Sequence, residues 1–329
     1  MDTEKRISLL SKLGDYLLGQ SEDWQRIKTL AVVQNGWFTP EHIDEAVTQI
    51  ATGYLDATKL RDWLSGYKLP DQPRKVGIVM AGNIPLVGFH DLLCGFLSGH
   101  NLLLKLSSKD TVLIEHMIRK LGEWDESVLE QIQTAEMLKG CDAYIATGTN
   151  NTARYFEQYF GKYPHIIRKN RTSVAVLDGS ETTDEIAALG KDIFSYFGLG
   201  CRNVTQLCVP EGYDFTPFLQ SMEAYRSFGD HNKYRNNYDY HLALYLLNRV
   251  PYLDNGSLLL VENDLPFSAV SVLHYRTYKN GAALIRELQQ SPDIQAVIGH
   301  GALPFGTAQQ PALSDYADGV DTMAFLCGL

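Results

Sequence analysis

The chain has 329 residues, 45% of them hydrophobic and 21% charged, with a net charge of -10. A length of about two domains, on a norm of ~150 residues each, and this composition describe a folded protein with a sizeable core. An acidic balance without a long Lys/Arg run excludes a nucleic-acid groove, which needs clustered cations, and no stretch nears the ~20 apolar residues that span a bilayer. The start, Met1-Asp-Thr-Glu-Lys-Arg, lacks the uncharged core of a signal peptide, so a cytoplasmic location is expected. Cys94, Cys141, Cys201, Cys208 and Cys327 are odd in number and form no Cys-x-x-Cys pair. Neither a disulfide framework nor a metal site is expected from them.

Residues 1–68 carry helical periodicity, with Ile7, Leu9, Leu10 and Leu13 on one stripe and Thr39-Pro40 marking a helix start. They form a short helical lead-in. Residues 76–80 read as a buried strand, followed by a Gly82-Asn83-Ile84-Pro85 turn and an apolar helix over 86–98. Next come a strand at 101–105, helices at 112–121 and 128–135, and a strand at 143–146 ahead of Thr147-Gly148-Thr149. A strand at 173–177 closes the series. Strands alternating with helices at this spacing predict parallel βαβ units, whose sites lie outside the carboxyl ends of the strands. Asn83, Lys105 and Thr147-Gly148 fall at such ends.

The pattern restarts after Asp178. A helix over 181–196 leads into Phe197-Gly-Leu-Gly-Cys201-Arg-Asn203. Small residues ahead of the thiol let substrate and backbone approach the sulfur, and the polar Arg202-Asn203 pair behind it sets it apart from core. Cys201 is therefore the candidate nucleophile. A strand at 205–209, helices near 215–227 and 241–247, strands at 257–261 and 269–274, and a helix at 281–290 complete a second α/β domain. The expected division is 1–179 and 180–329, with the C-terminal tail packing back on the first domain. Cys94 on an apolar helix face and Cys208 in a strand read as core. His90, His165 and His300 read as structural, with His300 in Gly-His-Gly the best candidate acid or base among them. Arg168-Lys-Asn-Arg171, the one basic cluster, reads as a solvated loop, with contact to CoA phosphates as the alternative.

Gly82-Asn-Ile-Pro-Leu86, Ser98-Gly-His-Asn-Leu-Leu-Leu-Lys105, Thr147-Gly-Thr149, the glycine-preceded Cys201 and Glu262-Asn-Asp-Leu-Pro266 resemble, in order, the motif series of the aldehyde dehydrogenase superfamily. Within it, the run Gly82 to Asp91 and the late Pro304-Phe-Gly-Thr-Ala-Gln resemble the acyl-CoA reductase family that includes the fatty acyl reductase of bacterial luminescence systems. The resemblance covers roughly residues 70 to 310. It implies an aldehyde dehydrogenase-like α/β fold of two domains, each with a mainly parallel sheet flanked by helices.

The resemblance also implies roles, residue by residue. Cys201 takes the nucleophile's place, and Asn83 supplies the side-chain amide of an oxyanion hole. Lys105 matches the lysine that holds the adenosine ribose or its 2′-phosphate, and Thr147, Gly148 and Thr149 match the turn beside the pyrophosphate, with Ala153 in place of the usual last glycine. Glu262 matches the glutamate on the nicotinamide ribose, although Asp264-Leu265 stand where relatives carry Phe-Gly. The segment that bears a water-activating glutamate in oxidising relatives is here Ile167-Arg-Lys-Asn-Arg171, with Ile167 at the base position. An acyl group on Cys201 would then persist until CoA or hydride reached it.

The implied reaction is NADPH-dependent reduction of an acyl thioester, a fatty acyl-CoA, to aldehyde, with NADH as the alternative cofactor and an acyl-loaded partner enzyme as an alternative donor. An acyl-phosphate reductase of the same fold, or a catalytically silent partner of an acyl-activating enzyme, are the competing readings. The chain is short for the superfamily, and nothing in it identifies the projecting strand pair that assembles larger relatives. A homodimer rests on the resemblance alone.

Overall fold

The computed structural model describes residues 1–329. The chain forms two compact units, Met1–Asn170 with Pro311–Leu329, and Arg171–Gln310.

The first unit opens with helices α1 (Thr3–Leu18), α2 (Glu22–Gln34), α3 (Pro40–Tyr54) and α4 (Ala57–Leu64). Asp2, Ser21, Thr39 and Asp56 each accept the backbone N–H three residues on, capping these helices in turn. Such a cap typically stabilises by ~1 kcal/mol. Their apolar faces, among them Leu13, Trp24, Ile43 and Leu60, join one core with Val76 and Ile78 of the sheet.

That sheet comprises β1 (Lys75–Val79), β2 (Asn101–Lys105), β3 (Ile132–Thr134), β4 (Ala143–Thr147) and β5 (His165–Arg168). All strands are parallel, in the order β3-β2-β1-β4-β5. Helices α5 (Phe89–Ser98), α6 (Val112–Trp124), α7 (Ser127–Gln131) and α8 (Asn150–Phe160) connect them. The chain winds outward from β1 to β3 and then returns to start β4 on the other side of β1. The strand order therefore reverses between β1 and β4, where open α/β sheets leave a crevice.

Three readings of this unit are corrected. The apolar helix begins at Phe89, not 86, because Leu86 is left-handed at φ 58°. The helix expected over 128–135 ends at Gln131, whose amide donates to the carbonyls of Phe96 and His100. Ile132–Thr134 then pair with Leu102–Leu104 instead of continuing the helix. Strand β5 was not expected; its edge position and its His and Arg ends hide it.

The second unit contains β6 (Thr172–Val176), α9 (Thr183–Phe194), β7 (Val204–Pro210), α10 (Thr216–Ser221), α11 (Asn232–Asn248), β8 (Leu253–Asp254), β9 (Leu259–Glu262), β10 (Val272–Tyr278), α12 (Gly281–Gln290) and β11 (Ile294–Gly299). Its order is β11-β6-β7-β10-β9-β8, parallel except for β8. The strand expected to close the first series is β6, which pairs with β7 and β11 and so belongs to this second sheet. The break accordingly falls at Asn170–Arg171. Strand β11 was not expected, and α11 starts well before residue 241. No helix is long and apolar enough to cross a membrane.

The segment Pro311–Leu329, with α13 (Thr322–Cys327), belongs to the first unit. Tyr67 donates to the Asp321 carboxylate at 2.9 Å, and His100 Nε2 donates to the Leu326 carbonyl at 2.9 Å. Arg168 completes the attachment. Its guanidinium donates to Asp91 of α5 at 2.6 Å and to Thr322 Oγ1 at 2.7 Å, and the residue is 3% exposed. The expectation of a solvated basic loop fails at this residue, because a carboxylate and a hydroxyl wait for it inside. Removing one partner of a buried pair strands the other charge, which typically destabilises by about 3–5 kcal/mol. Arg168→Met is therefore expected to lower Tm by ~10 °C in a thermal melt followed by circular dichroism. An unchanged Tm would show that the pair does not hold the C-terminal segment.

Candidate active site

In the first unit the strand ends gather the sequence candidates along one edge. Asn83 follows β1, Lys105 ends β2, and Thr147, Gly148 and Thr149 end β4 and open α8. Pairing of β1 with both β2 and β4 sets these three ends side by side. Asn83, Lys105 and Thr149 are exposed, while Thr147 and Gly148 are half-buried. Thr149 caps α8 by accepting the Thr152 N–H.

The loop bearing Asn83 is built against the segment after β2. A Cβ on Gly82 would lie 2.5 Å from Ser107 Oγ, so only glycine fits there. Asp110, 3% exposed, accepts the Leu86 N–H at 2.6 Å and thereby holds the left-handed Leu86. Burial pushes the Asp110 carboxyl up to about 7. Sequence reading passed over this aspartate, which looks like one charge in a polar Ser-Ser-Lys-Asp run.

In the second unit Cys201 lies in the turn between α9 and β7. The helix ends in a short 3-10 stretch in which Tyr196 (φ 54°), Phe197 (φ 56°) and Gly198 (φ 75°) are all left-handed. For the two non-glycine residues this costs roughly 1–2 kcal/mol each. Packing offsets it: the Phe197 ring sits 4.4 Å from His231, 5.4 Å from Phe228 and 5.8 Å from Tyr234, centroid to centroid. Asn203, half of the polar pair that sets the thiol apart from core in the sequence, is itself fully buried. Its amide donates to the Ser195 carbonyl at 2.8 Å and the Asp192 carbonyl at 3.1 Å, and its oxygen accepts the Gly200 N–H at 2.8 Å. It therefore closes the open end of α9 while bonding the turn, which is why a polar side chain is stable inside.

The same helical turn fixes a second loop. The buried Asp192 carboxylate accepts the N–H groups of Gly306 (2.7 Å) and Ala308 (3.0 Å), anchoring the Pro304-Phe-Gly-Thr motif, and burial pushes it up to about 6. Glu262 is exposed at the carboxyl end of β9, paired with Tyr275, which in turn pairs with Leu207. Cys201 precedes the amino end of β7, so the two begin at opposite ends of their strands. The segment after Glu262 turns back toward the start of β7. Gln206 donates to the carbonyls of Asn263 (2.9 Å) and Leu265 (3.2 Å), and Thr205 donates to that of Pro266.

The remaining thiols differ from Cys201. Cys94, Cys141 and Cys208 are buried, Cys327 is half-buried, and desolvation raises the pKa of all four. Cys201 is half-buried. The three histidines are engaged elsewhere: His90 with the Leu313 carbonyl, His165 with that of Tyr163, and His300 with Asp178 and Glu185, 3.0 Å each. The two carboxylates push His300 up to about 9, so it is a cation at neutral pH and no base. Asp178 and His300 follow β6 and β11, at the carboxyl end of a sheet whose amino end bears Cys201.

Two α/β units of this topology make the fold that of the aldehyde dehydrogenases. An NAD-dependent aldehyde dehydrogenase from Sinorhizobium meliloti is similar with a TM-score of 0.67 at 13% identity, over 91% of this chain and 70% of that one. Aldehyde dehydrogenase 21 from Physcomitrella patens, in complex with the reaction product succinate, gives 0.68 at 13% identity, over 91% and 74%. An aldehyde dehydrogenase from Bacillus cereus in complex with NAD+ gives 0.64 at 13% identity, over 91% and 72%. At this identity the likeness is one of fold. Residues 23–214, more than half of the chain, match the acyl-CoA reductase (LuxC) family, and the chain belongs to that family. It is an oxidoreductase of the aldehyde dehydrogenase fold. No curated protein matches it significantly by sequence.

Two measurements check this geometry. Limited iodoacetamide treatment of the native protein, read by peptide mass spectrometry, is expected to alkylate Cys201 ahead of Cys94, Cys141 and Cys208, because burial both restricts access to those three and raises their pKa. Labelling of a buried thiol first would contradict the placement. Asp110 keeps its proton to about pH 7 when folded but releases it near 3.8 when unfolded. The folded state then binds the extra proton, so this contribution to stability is full below pH 4 and is lost as pH rises through 7. Urea denaturation at pH 5 and pH 8 should show the wild type losing on the order of 2 kcal/mol relative to Asp110→Asn. Equal pH slopes would mean that Asp110 is not a buried acid.

Proposed function

We propose that the protein reduces a fatty acyl-CoA to the aldehyde with NADPH, carrying the acyl group on Cys201. The observation that carries this reading is the Cys201 turn: a half-buried thiol that shortly follows the left-handed Tyr196, Phe197 and Gly198, in a chain of the acyl-CoA reductase family. Strain of this kind concentrates where geometry is functional.

In this mechanism the Cys201 thiolate attacks the thioester carbonyl, the new C–S bond forms, and the electron pair moves to oxygen. Asn83 donates its amide N–H to that oxyanion. Such a donor is typically worth about 10²–10³ in rate. Collapse breaks the bond to CoA, whose thiolate leaves with a proton from solvent. Ile167 offers no base to activate water, so the acyl-enzyme is spared hydrolysis. A reduced nicotinamide, when bound, would supply a hydride to the acyl carbon, and collapse of the resulting thiohemiacetal would release the aldehyde with Cys201 leaving as thiolate. Glu262 would hold the nicotinamide ribose.

The residues at the edge of the first sheet suit a phosphate-bearing nucleotide. Thr147, Gly148 and Thr149 lie beside the point where strand order reverses, at the start of a helix, where anionic phosphates are favoured. Lys105 at the end of β2 and Lys109 after it are exposed cations, while Asp110, the first carboxylate there, is turned to the Leu86 N–H. A carboxylate in that region suits the 2′-hydroxyl of NAD, whereas ammonium groups suit the 2′-phosphate of NADP. Lys105→Ala is expected to raise KM for NADPH about tenfold and to leave KM for NADH nearly unchanged. Equal effects on both would overturn the NADPH assignment.

The reaction itself is tested by intact-mass analysis after incubation with fatty acyl-CoAs of graded length and no nicotinamide. The protein should gain one acyl group, and Cys201→Ala should gain none. Acylation by acyl phosphate but by no acyl-CoA would make the protein an acyl-phosphate reductase. Acylation only in the presence of an acyl-loaded partner enzyme would place the thioester on that partner.

A further inference from the structure

Holding a thiol in reacting position requires fixing the backbone on both sides of it, and two side chains with no role in the chemistry do so. Asn203 Oδ1 accepts the N–H of Gly200, the residue before Cys201, at 2.8 Å. Ser173 of β6 donates its hydroxyl to the carbonyl of Cys201 itself at 3.1 Å. Ser173 N–H also donates to the Asn203 carbonyl at 3.0 Å, and the Asn203 N–H to the Gly200 carbonyl at 3.1 Å. Neither side chain is exposed.

We infer that Asn203 and Ser173 are positioning residues for Cys201: one ties the turn to the end of α9, the other ties the cysteine's own peptide to the neighbouring strand. The inference rests on the reading of Cys201 as the acyl carrier. Three features separate it from ordinary core filling. Asn203 spends its acceptor on the turn rather than on the helix, while its donors hold Ser195 and Asp192. The residues between, Tyr196, Phe197 and Gly198, are left-handed, so no regular helical ladder fixes the distance from α9 to the thiol. The side chain of Asn203 bridges that gap directly, from the Ser195 and Asp192 carbonyls to the Gly200 N–H. Ser173 acts from β6, which lies between β7 and β11 in the sheet.

The test compares wild type with Asn203→Ala and Ser173→Ala. It measures the rate of acyl transfer from a fatty acyl-CoA to Cys201 by rapid quench and intact mass, with thermal melts and steady-state kinetics in parallel. Displacing a reacting group by ~1 Å can cost about 10²-fold in rate. Asn203→Ala should therefore acylate ~100-fold more slowly and Ser173→Ala about tenfold more slowly. KM for acyl-CoA should change less than about twofold, because substrate binding does not use either side chain. A purely structural role would lower Tm while the folded fraction acylated at the wild-type rate, and that result would overturn the inference. If Asn203→Ala does not fold, Ser173→Ala decides alone, since it removes one hydroxyl and leaves the helix end closed. Should wild type itself fail to acylate, the reading of Cys201 falls and the inference with it. Should wild type acylate and both variants match it, only the positioning role falls.

Discussion

Between α9 and β7 the chain must leave a helix, reverse, and enter the middle of a parallel sheet within a few residues. A regular C-cap uses one left-handed residue, usually glycine. Here Tyr196 and Phe197 adopt that conformation as well as Gly198, and the aromatic cluster of Phe228, His231 and Tyr234 receives the Phe197 ring. The consequence is local and specific. Gly200 and Cys201 arrive at the head of β7 on a backbone tied down by Asn203 and Ser173, with the thiol half-buried while three of the other four are fully buried. Asp192, one residue of the same helical turn, extends the arrangement to the Pro304-Phe-Gly loop.

The first unit solves a related problem with different means. Its parallel strands deliver Asn83, Lys105 and Thr147–Thr149 to one edge by topology, because β1 is flanked by β2 and β4. The loop after β1 then needs an internal brace, and a protonatable carboxyl provides it. Asp110 is buried at the cost of a raised pKa, yet the Leu86 N–H it accepts would otherwise be an unpaired buried donor. The same carboxyl is thereby withdrawn from the cationic edge formed by Lys105 and Lys109.

Much of this was legible in the sequence where local rules decide. Thr39-Pro40 caps α3, Asn101–Lys105 is β2 to the residue, and Gly281–Gln290 is α12 to the residue, because N-cap chemistry, a short apolar run and helical periodicity are read over a few positions. The readings that failed depend on partners distant in sequence. Arg168 looked like part of a solvated basic run until Asp91 and Thr322 were found beside it. Asn203 looked unlike core because its partners are helix carbonyls, which no side-chain pattern announces. The strand at 173–177 was given to the wrong sheet because alternation of strands and helices does not mark where one sheet ends. An asparagine shortly after a helix that stops without a usual cap is the one local signal that could have exposed the brace on Cys201.

The family and the fold make the protein an oxidoreductase, and the arrangement around Cys201 supports acyl transfer through that thiol. The most direct measurement is single-turnover mixing with a fatty acyl-CoA and NADPH, following free CoA and nicotinamide absorbance together. The account predicts a burst of one CoA per chain before NADPH is oxidised. NADPH oxidation with no preceding CoA release would contradict it, because the acyl group would then have been reduced without passing through Cys201.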